Sequence, residues 1–182
     1  MKLVSLLIGV LMLAFHVKGQ GGDIDSKTII YLVRHAEKDT GKNPILTEKG
    51  MQRSGVLMRI MKEKKISHIY VTQYRRTQLT GDSLYKMMHI DTVHYLADTT
   101  GNDLVSKINE KKDWGRSILI IGHSNTIPAL IRKLGVKNFI VKEIPETEFD
   151  NLFMITYKKH QPKLTVTKYG APSAAAAKME KL

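Results

Sequence analysis

Apolar residues fall along the chain in two rhythms, and they alternate. Short unbroken runs such as Thr28-Ile29-Ile30-Tyr31-Leu32-Val33, His68-Ile69-Tyr70-Val71 and Ser117-Ile118-Leu119-Ile120-Ile121 have the length and β-branched content of strands buried on both faces. Between them the apolar positions recur at helical spacing. Thr47 is placed to cap a helix carrying Gly50, Ser54, Leu57, Met58 and Met61, and a second helix from Tyr74 to Met88 sets Thr77, Gly81, Leu84 and Met88 on one stripe. A strand over Thr92–Leu96, a helix over Asn102–Lys111 and a helix carrying Ile127, Leu130, Ile131 and Leu134 continue the alternation. Strand and helix in turn predict an α/β fold with a mostly parallel sheet between helical layers. Asn151–Tyr157 and Lys163–Tyr169, split by Gln161-Pro162, read as a closing hairpin on the sheet edge.

The two ends differ from this core. Lys2, the apolar stretch Leu3–Phe15 and Val17-Lys18-Gly19 have the charged, apolar and small-residue order of an export leader, so residues 1–19 are expected to be removed before Gln20. The apolar length is short for a membrane span, and a retained anchor is the alternative. An exported protein, periplasmic or secreted, follows, with no stable membrane insertion after removal. The folded domain is expected over residues 26–170. Residues 171–182, with four consecutive alanines, are expected to form a flexible tail.

The chain contains no cysteine, which excludes disulfides, zinc-thiolate sites and thiol-based phosphoester chemistry. The formal net charge of +12 favours anionic partners through long-range steering. Most lysines, as in Lys62-Glu63-Lys64-Lys65 and Lys111-Lys112, sit at element ends as solvated charges, and no nucleic-acid partner is expected.

Chemistry concentrates at three strand ends. Arg34-His35-Ala36-Glu37-Lys38 follows the first strand, Gln73-Tyr74-Arg75-Arg76-Thr77 the second, and Gly122-His123-Ser124-Asn125 a later one. Open α/β sheets gather ligands at the carboxyl ends of their strands. A guanidinium there can hold phosphate oxygens while an imidazole attacks phosphorus. Two histidines and at least two arginines on three strand ends therefore point to phosphoryl chemistry.

These segments, in this order, resemble the histidine phosphatase superfamily, the phosphoglycerate-mutase-like group. Leu32-Val33-Arg34-His35-Ala36-Glu37-Lys38, Leu46-Thr47-Glu48-Lys49-Gly50 and Gly122-His123-Ser124-Asn125-Thr126 look like its small exported branch. The resemblance implies a three-layer α/β/α fold and a phosphomonoester hydrolase working without cofactor or metal through a phosphohistidine on His35. Arg34, Arg76 and His123 would surround the phosphate, and Asn43, Ser124 and Asn125 would be secondary contacts. The family spacing selects Arg76 over Arg75. Ala36 stands where the family usually has glycine, and the loop is therefore expected to avoid positive φ.

The resemblance leaves the proton donor open. The aspartate that one branch carries after the late histidine is Ser124 here. Asp98, after the strand Thr92–Leu96 that lies between the central arginine and the late histidine, is preferred, with Glu37 as the alternative. The substrate would be a small phosphorylated molecule or a phosphorylated glycan. A phosphate-binding module without turnover is the competing class, and a mutase of the phosphoglycerate type the third.

Overall fold

The computed structural model describes residues 28–158 and 160–173. The expected leader and residues 174–182 of the expected tail lie outside them. Strands β1 (Ile29–Arg34), β2 (Ile66–Thr72), β3 (Thr92–Tyr95), β4 (Ser117–Gly122), β5 (Asn151–Lys158) and β6 (Gln161–Lys168) alternate with helices α1 (Glu48–Met61), α2 (Arg75–Met88), α3 (Asn102–Glu110) and α4 (Thr126–Lys133). The strands form a single sheet in the order β3-β2-β4-β1-β5-β6. β3, β2, β4 and β1 are mutually parallel, and the antiparallel hairpin β5-β6 adds to the β1 edge.

Period-two alternation splits the core across the sheet. Ile30 and Leu32 face a cluster with Leu104, Ile108, Leu130 and Ile131 of α3 and α4, whereas Tyr31 and Val33 face Leu57, Met61 and Leu84 of α1 and α2. Both faces are covered, giving three layers. Among the described residues no helix is long and apolar enough to cross a membrane.

Two local features bear on the site. Thr47 caps α1 by accepting from the Gly50 N–H at 3.1 Å, and a Cβ built on Gly50 would lie 2.1 Å from the Glu37 carbonyl oxygen. The Leu46–Gly50 segment thus presses the α1 terminus onto the loop that follows β1. Ala36 is not among the residues with positive φ, and its N–H donates to Thr80 Oγ1 at 2.9 Å.

The carboxyl-terminal boundary is corrected. Residues 171–173 belong to the folded unit: the Ser173 N–H donates to Asp150 Oδ2 at 3.0 Å, Ser173 Oγ accepts from the Phe149 N–H at 2.9 Å, and the Ala171 carbonyl accepts from Arg53 Nη2 at 2.9 Å. Buried polar partners hold this segment where composition alone suggests a loose end. Pro162 also lies inside β6, opposite Tyr157, instead of breaking the hairpin; on an edge strand its missing N–H costs no ladder bond.

Candidate active site

Parallel register brings the chemistry together. Arg34 pairs with Gly122, and the next residues, His35 and His123, emerge side by side with ring centroids 5.5 Å apart. The His35 N–H donates to the Gly122 carbonyl at 2.9 Å, which locks the two strand ends. β2 ends at Thr72 on the other side of β4, and α2 opens there with Arg75 and Arg76. Arg34, His35 and His123 are buried, and Arg76 is half-buried.

The hydrogen bonds fix both tautomers, because a carbonyl only accepts and a guanidinium only donates. His35 Nδ1–H donates to the Ala36 carbonyl at 2.8 Å, so its Nε2 carries the free lone pair. His123 has the opposite form. Its Nδ1 accepts from Arg76 Nη2 at 3.2 Å, and its Nε2–H donates to Thr72 Oγ1 at 3.0 Å. The Thr72 hydroxyl passes the chain to Thr77 Oγ1 at 2.9 Å, and Thr77 donates to the Tyr74 carbonyl at 2.8 Å.

Burial, with the nearby positive charges of Arg34 and Arg76, pushes His35 down to about 3 and His123 down to about 4. Both imidazoles are neutral at neutral pH. A neutral imidazole with an unencumbered Nε2 is the nucleophilic form.

Arg34 is gripped by the loop before β5. Its Nη1 donates to the carbonyls of Pro145 at 2.8 Å and Glu148 at 3.3 Å, its Nη2 pairs with Glu146 Oε2 at 2.5 Å, and its guanidinium carbon stands 4.3 Å from the centroid of the Phe149 ring. Arg76 stacks on Tyr74 at 4.5 Å. Among the described residues only three buried side-chain polar atoms lack a partner, and two of them are Nε of Arg34 and Nε of Arg76. Buried donors are satisfied as a rule, so each of these two arginines keeps a donor that an acceptor could satisfy.

The structure thus gathers Arg34, His35, Arg76 and His123 and holds the other candidates in different duties. Glu37 is corrected as a proton donor: Arg53 Nε and Nη2 grip both its oxygens at 2.8 Å, and although burial opposes ionisation, this bidentate partner holds its carboxyl below the ordinary value. Asp98 is corrected in the same sense. Its Oδ1 accepts from Thr100 N and Oγ1, both at 2.7 Å, and from Gly101 N at 3.0 Å, and these bonds lower its carboxyl. Oδ1 of this carboxylate thus caps its own turn. Asn43 Oδ1 accepts from the Arg75 N–H at 3.0 Å, so it caps α2. The Ser124 hydroxyl stands 2.8 Å from Glu146 Oε1 and 3.1 Å from Glu143 Oε1, with one proton to share between them. Asn125 is exposed at the start of α4.

Sequence reasoning passed over three groups: Glu146 with its loop, Arg53, and the Thr72–Thr77 pair. A signal for the first was present. An antiparallel hairpin added beside β1 must start at the carboxyl end of β1, as the Val33–Leu152 pairing shows, and so the residues before β5 necessarily lie against Arg34. Among the described residues no group of three or more histidine, aspartate or glutamate side chains is assembled to hold a metal ion.

No family model and no curated protein matches the sequence. The fold does have counterparts among solved structures. A putative phosphohistidine phosphatase SixA from Agrobacterium tumefaciens superposes with a TM-score of 0.58 at 18% identity, over 80% of this chain and 98% of that one. A putative alpha-ribazole-5'-P phosphatase from Escherichia coli gives 0.60 at 11% identity, over 78% and 96%. Phosphoserine phosphatase from Entamoeba histolytica, in complex with 3-phosphoglyceric acid, gives 0.56 at 15% identity, over 79% and 98%. At these identities the likeness establishes the architecture alone, an α/β fold with a mostly parallel six-stranded sheet and a C-terminal antiparallel hairpin.

Proposed function

We propose that the protein is an exported phosphatase that hydrolyses a phosphomonoester through a phosphohistidine on His35, without a metal ion. One observation carries the reading. A neutral histidine with a free Nε2 lies beside a second neutral histidine and two arginines whose Nε donors are buried and unpartnered.

In this account the substrate phosphoryl group binds across Arg34 and Arg76, and His35 Nε2 attacks phosphorus in line with the ester oxygen. The P–O ester bond breaks as the N–P bond forms. Water then attacks the phosphohistidine and releases inorganic phosphate and free His35. Donors fixed in advance stabilise the charge that spreads over the equatorial oxygens. His123 starts as an acceptor from Arg76; a phosphate dianion beside it favours the imidazolium, which donates from Nδ1. Thr72 and Thr77 keep its ring oriented throughout.

In this reading Glu37 and Asp98 serve as acceptors for Arg53 and for the turn at Thr100, and against the cost of burial Ser124 and Arg34 hold the Glu146 carboxyl below its ordinary value. The site therefore suits leaving groups that depart readily. The resemblance in fold to a putative phosphohistidine phosphatase brings phosphoramidates into the same class, beside small phosphoesters and phosphorylated glycans. The ion pair of Glu146 on Arg34 favours a second reading, a phosphate-binding module without turnover. The discriminating experiment is a panel of aryl, alkyl and sugar phosphates and a phosphohistidine peptide, assayed with and without chelator. Hydrolysis insensitive to chelator supports the enzyme; phosphate binding with no hydrolysis supports the module. The leader pattern at residues 1–19 supports export, and a chain from an extracytoplasmic fraction that starts near Gln20 would agree with it.

A further inference from the structure

A second concave surface opens beside the late histidine. It is a shallow cavity of about 540 Å³ lined by Thr99, Thr100, Asn125, Arg132, Lys133 and Lys142, with no carboxylate in its wall. Three separate segments build it: the loop between β3 and α3, helix α4, and the loop between α4 and β5. Asn125 connects it to the phosphate site, two residues beyond His123.

Its charge is uncompensated. None of Arg132, Lys133 and Lys142 takes part in an ion pair among the described residues. Arg132 Nη1 donates to the carbonyls of Val141 at 2.7 Å and Phe139 at 3.2 Å, which anchors the α4–β5 loop and leaves Nη2 and Nε without partners among the described residues. Lys133 Nζ reaches across to Asn102 Oδ1 at 2.6 Å, so its ammonium stands at the start of α3. Lys142, on the loop, makes no side-chain hydrogen bond among the described residues. A position in the last helical turn accounts for Arg132 and Lys133 through the helix dipole. It accounts neither for Lys142, which arrives from another segment, nor for the convergence of all three on one cavity. The neighbouring acids lie outside its wall: Asp98 is bonded within its own turn, and Glu143 lies at 3.1 Å from the Ser124 hydroxyl.

We infer that this basin is a second anion subsite, and that the substrate carries a further acidic group, a second phosphate or a carboxylate, besides the phosphoryl group held at Arg34 and Arg76. The inference rests on the phosphatase reading for which group is transferred, but binding alone tests it. The helical rise from Asn125 to Lys133 is about 12 Å, so the two anionic groups are separated by a linker on the order of 10 Å.

The test is calorimetric titration of the full chain carrying His35→Ala, which holds Arg34 and Arg76 and stops turnover. The probes are alkyl monophosphates, α,ω-alkanediol bisphosphates from propane- to octanediol, and ω-carboxyalkyl phosphates of matching length. At one intermediate length a second anion should tighten binding at least about tenfold over the monophosphate, as two added ion pairs of about 1 kcal/mol imply. The bisphosphate and carboxylate arms identify which acid is preferred. Adding Lys133→Gln and Lys142→Gln should erase the gain and leave monophosphate affinity unchanged. Lys64→Gln with Lys111→Gln, which removes equal charge beyond the ends of α1 and α3, should preserve it. No gain at any length, or a gain that survives loss of Lys133 and Lys142 or vanishes with Lys64 and Lys111, overturns the subsite. Absence of hydrolysis of any phosphoester by the wild-type chain would instead overturn the phosphatase reading and leave this result intact.

Discussion

Alanine at Gly50 and at Gly55 should act in opposite directions although both replace a glycine of α1. At Gly50 an ideal Cβ would lie 2.1 Å from the Glu37 carbonyl oxygen, 3.0 Å from its carbon and 3.1 Å from its nitrogen. All three atoms are backbone, so no side-chain rotation relieves the overlap, and the loop must retreat by about 1 Å. Overpacking of this kind costs up to about 3 kcal/mol, offset by about 1 kcal/mol for alanine over glycine in a helix. The net loss of about 2 kcal/mol lowers Tm by about 4–8 °C in a domain of this size. At Gly55 the added Cβ meets only Arg59 Nη1, at 3.7 Å, so the helical preference stands alone and raises Tm by about 1–4 °C. The Glu37 carbonyl also accepts from the Thr47 N–H at 3.0 Å, two residues from His35, so Gly50→Ala should weaken phosphate binding as well. Scanning calorimetry on both variants, with phosphate titration, checks the pair. A rise in Tm for Gly50→Ala equal to that for Gly55→Ala would refute the close approach.

His35 and His123 are held down to about 3 and about 4, below the unfolded value of about 6.5. From there down to their folded values the unfolded chain binds more protons, so stability is full above about pH 6.5 and falls as pH falls. A urea midpoint lower at pH 5 than at pH 7.5, with both imidazole resonances still neutral at pH 5, is expected; a midpoint of titration near neutrality for either ring contradicts it. Glu146→Gln removes the anion paired with Arg34 Nη2 and should tighten inorganic phosphate binding about fivefold, from a pair worth about 1 kcal/mol; weaker binding would make Glu146 a support for Arg34. Asp98→Asn should leave the ratio of alkyl to nitrophenyl phosphate turnover unchanged, because its carboxylate caps a turn. A loss confined to alkyl substrates, of the 10² to 10⁴ size that general acids give, would return the donor role to Asp98.

Where a residue's position depends on its own strand, the sequence made it readable. The uninterrupted runs that became β1 and β4 already placed His35 and His123 at equivalent ends, and α/β alternation implied their shared edge. Glu37 and Asp98 show the opposite case. Both are acids at the right positions in the chain, yet what each does is decided by Arg53 from α1 and by the amides of Thr100 and Gly101, and neither partner is visible from the motif. Arg53 carries no signal of its own in the helical pattern, and only the fold shows it buried by the ion pair with Glu37 and the carbonyls of Tyr169 and Ala171. The loop at Pro145–Phe149 has no periodicity at all. Only the antiparallel arrival of β5 beside β1 brings Glu146 and Phe149 onto Arg34.

The most direct measurement is chemical trapping on His35. Protein mixed with a phosphoester labelled in its phosphoryl group and quenched within the first turnovers should carry the label on the His35 imidazole. That phosphoramidate survives alkali and is lost in acid, and the His35→Ala chain should carry none. Label that withstands acid and maps to a serine, or full turnover in the His35→Ala chain, would contradict the histidine mechanism outright.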